Sequence, residues 1–177
     1  MKLLMKNKII LILSVSVLSL YALTSFTNAT NSPLEEGDKV HWVTIEEAQE
    51  LQRKEKRPIY IDVYTTWCGP CKMMTQKTFT NKSVIDMLNS KFYAVKFDAE
   101  SNTSLTFNGK TYQSPGRNHS FISLLQVRAF PTSVFIDSDL NIITSVAGYF
   151  IPKEFKPMLS YIGNDHYKSK SWEEFTK

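Results

Sequence analysis

Three observations predict an α/β domain. Ile59-Tyr60-Ile61-Asp62-Val63-Tyr64 is an almost unbroken apolar run after Pro58, the pattern of a strand covered on both faces. Tyr93-Ala94-Val95-Lys96-Phe97-Asp98 reads as a further strand. Between them Val84, Ile85, Leu88 and Phe92 recur at helical or near-helical spacing, as core positions do. With 177 residues and 42% hydrophobic content, the chain suits one globular domain with a sizeable core.

The elements follow in order. Residues 30–38 read as a flexible leader and 39–43 as a short strand. Thr44 with Glu47 three residues on makes a capping box, opening a helix to about Lys56 that Pro58 ends. After the 59–64 strand, residues 73–79 read as a helix that continues past a break near Thr80-Asn81. The 93–98 strand comes next. Leu105-Thr106-Phe107 and Lys110-Thr111-Tyr112 flank Asn108-Gly109, the signature of a tight hairpin. Ser114-Pro115-Gly116 breaks the chain before a helix over 119–126. Strands at 133–136 and 142–147 close a hairpin around Asp137-Ser138-Asp139, a helix spans 152–161, and Trp172–Phe175 packs a short C-terminal turn. Repeats and low-complexity tracts are absent.

Both cysteines lie in Trp67-Cys68-Gly69-Pro70-Cys71-Lys72. Two thiols at this spacing can close a small disulfide ring, or open it by exchange through a mixed disulfide. The strand-then-helix order puts Cys68 at a helix N-terminus, where unpaired N–H groups and the dipole favour a thiolate. Pro70 suits the first turn, where its missing N–H costs nothing. Asp62 is the other conspicuous residue. A carboxylate inside a strand covered on both faces is expensive unless it is used or paired; a surface residue on a one-sided strand is the alternative.

The stretch resembles the thioredoxin family, whose active-site sequence is this same Trp-Cys-Gly-Pro-Cys-Lys. Asp62 matches the buried acid of that family, Phe130-Pro131-Thr132 its cis-proline loop, Lys96 its central-strand lysine and Gly148 a further glycine. The resemblance covers about residues 40–163 and implies a thioredoxin-fold domain over 39–163: a central mixed sheet flanked by helices, here with a hairpin insertion at 101–120. Residues 71–84 are similar to exported thioredoxin-like proteins and to the C-terminal domain of the periplasmic thiol-disulfide interchange transporter.

The implied roles follow residue by residue. Cys68 is the exposed nucleophile and Cys71 resolves the mixed disulfide. Asp62 takes the proton from Cys71, and Lys96 modulates Asp62, although a lysine on an edge-exposed face is as simple a reading. Pro131 presents backbone to an extended substrate and keeps metal from the thiols. Trp67, Gly69 and Pro70 contact the substrate, as does Phe130, which departs from the smaller residue common in the family. The insert is either a tolerated surface excursion or a partner-selecting lip.

The N-terminus carries an address. Lys2, Lys6 and Lys8 precede an apolar run over 9–23, then polar residues and Thr27-Asn28-Ala29, the pattern of a secretory signal cleaved near Ala29. An uncleaved membrane anchor is the alternative. Removing those lysines takes the formal charge of +4 close to neutral. Arg53-Lys54-Glu55-Lys56-Arg57 is then the one dense basic patch, at a predicted helix end, so nucleic-acid binding is not expected. One cysteine pair is too few for a disulfide scaffold, and His41, His119 and His166 lack zinc-ligand spacing.

The expected protein is therefore an exported, periplasmic, monomeric thiol–disulfide oxidoreductase needing no cofactor beyond its Cys68–Cys71 disulfide. Its expected partners are disulfide-containing exported proteins and, because the compartment is oxidising, a membrane electron donor. A disulfide oxidase or isomerase, and a non-catalytic binding module, remain as rival readings.

Overall fold

In the computed structural model, residue 37 and residues 39–177 are described; the expected signal and most of the leader lie outside them. Five strands form one mixed sheet in the order β1-β3-β2-β6-β7. β1 (Trp42–Val43), β3 (Tyr93–Asp98) and β2 (Ile59–Tyr64) run parallel, while β6 (Thr132–Ile136) and β7 (Ile142–Ala147) are antiparallel additions. β2 lies at the centre, and its first five residues are buried.

Period-two alternation sends the side chains of β2 into two different layers. Ile59, Ile61 and Val63 join Val95, Phe97, Val134 and Ile136 beneath α1 (Ile45–Lys54) and α4 (Phe121–Leu124). Tyr60 points the other way, into a layer with Met74, Phe79, Leu88, Phe135, Phe155 and Leu159. That layer is covered by α2 (Gly69–Met73), α3 (Lys82–Lys91) and α5 (Pro152–Gly163). Each large apolar side chain sealed in these layers contributes about 1.5–3 kcal/mol. Asp62, two residues after Tyr60, shares this second face.

Local chemistry sets the element ends. Thr44 and Glu47 form the expected capping box on α1, which ends at Lys54. The basic patch beyond it is partly paired: Arg57 binds Glu55 at 2.7 Å and lies over the Tyr93 ring. α2 runs into a wider π turn at Met74–Thr78, which brings both of those residues inward. Asn81 then caps α3 through the Val84 N–H, so the expected break near Thr80-Asn81 is a full restart.

α4 is shorter than the helix expected over 119–126, because His119 is committed elsewhere. Its backbone N–H donates to Ala99 O at 2.7 Å, its Nδ1 accepts the Phe121 N–H, and its Nε2 stands 3.1 Å from Thr103 O. Gln126, at φ 56°, ends the helix on the other side. α5 instead runs on to Gly163, where a Cβ would stand 2.9 Å from Phe92 Cε2. The chain beyond forms a 3-10 turn at His166–Lys168 and α6 (Trp172–Phe175), whose two aromatic rings pack on Tyr161.

The insertion forms the expected hairpin, β4 (Leu105–Phe107) and β5 (Lys110–Tyr112), turned by Asn108 and Gly109 at φ 48° and 73°. It is docked on α1. Gln49 Nε2 donates to Thr106 O at 2.8 Å, Gln49 Oε1 accepts the Asn108 N–H, and Glu46 accepts the Thr106 N–H. Leu105 and Phe107 are buried in the first layer.

Candidate active site

β2 delivers the chain to the site. After Tyr64 it turns through Thr65-Thr66, and the Cys68 N–H donates to Thr65 O at 3.3 Å. Cys68 then caps α2, with the Cys71 N–H donating to its Sγ at 3.1 Å and Pro70 in the first turn. Cys68 and Cys71 form a disulfide. The sequence led us to expect an exposed Cys68, but in this oxidised form it is only 4% exposed, against 3% for Cys71. Its sulfur is bonded to that of Cys71 and accepts the Cys71 N–H. Thr66, Trp67, Gly69, Pro70 and Lys72 are exposed around it.

Asp62 is fully buried, and neither carboxylate oxygen has a hydrogen-bond partner among the described residues. Burial pushes its carboxyl up to about 7, partly opposed by the nearby Lys96 ammonium. Lys96 stands opposite it in the β2–β3 register, one residue past the last β1 pairing at Val95, with its side chain 25% exposed. Its Nζ donates to Thr75 Oγ1 at 2.7 Å and sits among the rings of Tyr64, Trp42 and Phe79. A small cleft of about 160 Å³ lies alongside, lined by Cys71, Thr65, Thr75 and Lys96 among others. It is wide enough for a few water molecules and links the inner cysteine to solvent.

The Phe130–Pro131 peptide bond is cis, and Pro131 O accepts the Gly148 N–H at 2.9 Å. Phe130 meets Trp67 edge to face, with centroids 6.1 Å apart. The larger residue thus walls the side of the exposed indole.

Two residues at the site escaped sequence reasoning. Trp67 Nε1 donates to Glu100 Oε2 at 2.8 Å, and Arg117 Nε donates to Glu100 Oε1 at 2.8 Å. The Arg117 guanidinium also lies over the Trp67 ring, 5.8 Å from its centroid. The Arg117 bond, seconded by that of Trp67, holds the Glu100 carboxyl below its ordinary range. A signal for Glu100 existed: it follows β3 at the carboxyl end of the parallel strands, where such sheets assemble their sites. Nothing in the spacing points to Arg117. Among the described residues, no group of three or more His, Cys, Asp or Glu side chains could hold a metal ion.

The family profile described as a thioredoxin-like domain matches residues 45–163. The thioredoxin-like protein CITRX1 of Nicotiana benthamiana chloroplasts is 32% identical over 118 residues, 64% of this chain and 52% of that protein. The chain thus spans about half the length of that relative. Among solved structures, a putative disulphide-isomerase from Bacteroides thetaiotaomicron is similar at TM-score 0.54 and 25% identity, over 76% of this chain and 98% of that one. The DsbH oxidoreductase shares the fold at TM-score 0.56 and 17% identity, over 77% and 93% of the two chains.

Proposed function

This chain belongs to the thioredoxin-like family; on that premise we propose that it is an exported thiol–disulfide oxidoreductase that works as a reductase or electron relay. The observation that carries the reading is the Cys68–Cys71 disulfide at the start of α2, fed by the strand that buries Asp62, whose carboxyl titrates at about 7. A carboxyl poised there can hold or release a proton at neutral pH.

In the reduced protein, the Cys68 thiolate attacks one sulfur of a partner disulfide. A Cys68–partner bond forms as the partner's sulfur–sulfur bond breaks, and the departing thiolate takes a proton from water. The Cys71 thiol passes its proton to the Asp62 carboxylate and attacks Cys68 Sγ. The mixed disulfide breaks and the Cys68–Cys71 bond closes. The partner's second sulfur leaves as a thiolate that takes a proton from water to complete the dithiol, and Asp62 returns its proton to water. Two electrons have moved from the protein to the partner. Lys96 tunes Asp62, while Trp67, Gly69, Pro70, Phe130 and Pro131 form the face the partner meets.

Gly69-Pro70 supports the reducing direction, because the same dipeptide lies between the cysteines of reducing thioredoxins, whose potential is about −270 mV. The basic and apolar pattern of residues 1–29 supports export. In an oxidising compartment such a dithiol needs a membrane donor to restore it. Exported proteins with disulfides are the substrates that location supplies.

Equilibration against glutathione and dithiothreitol buffers tests the direction. We expect a potential within tens of millivolts of about −270 mV; a value near about −120 mV would mark an oxidase instead. Isomerisation is the second reading, favoured by the likeness to the Bacteroides protein. Reactivation of scrambled ribonuclease faster than insulin reduction would select it. A flat insulin turbidity trace would leave a binding module without turnover.

A further inference from the structure

The insertion divides into two parts with different surroundings. Its hairpin is held on α1 by Gln49 and Glu46. The loop after the hairpin reaches the active-site tryptophan through Arg117. Glu100 organises this contact, with one carboxylate oxygen on Trp67 Nε1 and the other on Arg117 Nε.

Arg117 is therefore fixed by one nitrogen only. Neither of its terminal amino groups has a hydrogen-bond partner among the described residues. Its side chain is 76% exposed, whereas that of Glu100 is 21% exposed, so the pair turns its cationic half outward. The other segments framing the site add no negative charge. Residues 65–72, 127–132 and 148–151 contain Lys72 and Arg128, both exposed, and no Asp or Glu. A guanidinium with a free edge, held against the residue next to Cys68, is built to receive a carboxylate.

We infer that Arg117 is a specificity-determining residue, favouring partner disulfides that carry an acidic side chain beside the attacked cysteine. The inference rests on the thiol–disulfide exchange proposed above. It requires no new chemistry, only that the partner's carboxylate meet the guanidinium as Cys68 reaches the sulfur.

The test uses three synthetic peptides, each closed by one disulfide, with Asp, Asn or Lys before the attacked cysteine. Their reduction by the dithiothreitol-recharged protein is measured as kcat/KM. The wild type should favour Asp over Lys by about two- to fivefold, as an exposed ion pair supports. The preference should shrink in about 1 M salt. Arg117→Lys should keep the direction, Arg117→Gln should reduce the ratio, and Arg117→Glu should reverse it. A purely structural arginine would change all three rates together and leave the ratio alone. Turnover of the Asn peptide with the same Asp-to-Lys ratio in wild type, Arg117→Gln and Arg117→Glu overturns the inference while leaving the exchange activity standing. No turnover of any peptide overturns both.

Discussion

Lys96 Nζ stands 4.0 Å from Asp62 Oδ2, across the one rung of the β2–β3 ladder where an acid and a base face each other. The distance is too long for a hydrogen bond, and the ammonium gives its bond to Thr75 instead. Lys96 therefore stabilises the Asp62 carboxylate by field alone, and burial outweighs it. A full hydrogen-bonded salt bridge would keep the acid ionised and unable to hold a proton at neutral pH. The offset leaves Asp62 able to exchange one.

Stability should carry the mark of this acid. The folded Asp62 carboxyl titrates at about 7, against an ordinary value of 3.8, so between those values the folded state binds the extra proton. Its contribution is therefore lost as pH rises from about 4 to about 7, then stays level, for a total of up to about 4 kcal/mol. Asp62→Asn lacks this dependence. Denaturant midpoints of the two oxidised proteins should diverge as pH rises across the window, with the variant the more stable at pH 8. Parallel profiles would mean that Asp62 titrates normally.

Catalysis should move the opposite way. Without the carboxylate, Cys71 must lose its proton to water or to the departing thiolate. Asp62→Asn should therefore slow insulin reduction about tenfold at pH 7, with the gap closing as pH approaches the ordinary range of a cysteine thiol. Lys96→Met removes the field that favours the carboxylate and should move the acid limb of the pH–rate profile upward. Superimposable wild-type and Asp62→Asn profiles over pH 6–9 would remove Asp62 from the proton transfer.

Much of this site was legible in the chain because its parts follow one another locally. The covered strand, the dithiol and the helix start lie within Ile59 to Met73, and an acid in an apolar strand advertises its own cost. The two central strands were predicted to the residue, since an apolar run fixes their location, although only β2 is buried along most of its length. The parts that escaped depend on contacts distant in sequence. His119 shortens α4 through bonds to Ala99 and Thr103 that no helical period encodes. Arg117 reaches Trp67 across fifty residues of chain through a carboxylate that belongs to neither segment. The burial of Cys68 was missed because the helix-start argument describes a thiolate, whereas this form is the disulfide.

The hairpin should matter chiefly for stability. Gln49 is 8% exposed and satisfies Thr106 O and the Asn108 N–H from opposite ends of its amide. Gln49→Ala strands both groups and should cost about 1–3 kcal/mol. Phe107→Ala empties a buried site and should cost about 3–5 kcal/mol. Chemical denaturation measures both. If neither variant loses more than about 0.5 kcal/mol, the hairpin is an ornament on the surface rather than part of the core.

Trapping experiments should separate the two sulfurs, although the disulfide buries them almost equally. Burial in the oxidised form cannot decide which thiol attacks, so the surroundings must. Cys68 caps the helix, receives the Cys71 N–H at its sulfur and follows the exposed Trp67. Cys71 lies one turn further in, on the cleft it shares with Lys96 and Thr75. Cys71→Ser should thus stop at the mixed disulfide, because the attacking sulfur is present and the releasing one is gone. Expressed with its native N-terminus, that variant should accumulate covalent complexes that dissolve on adding reductant. Exported substrates and a membrane protein serving as donor should be among them. Cys68→Ser should trap little. Equal trapping by the two variants would mean that either sulfur can be reached first, and the order of attack and release assigned to them would fall.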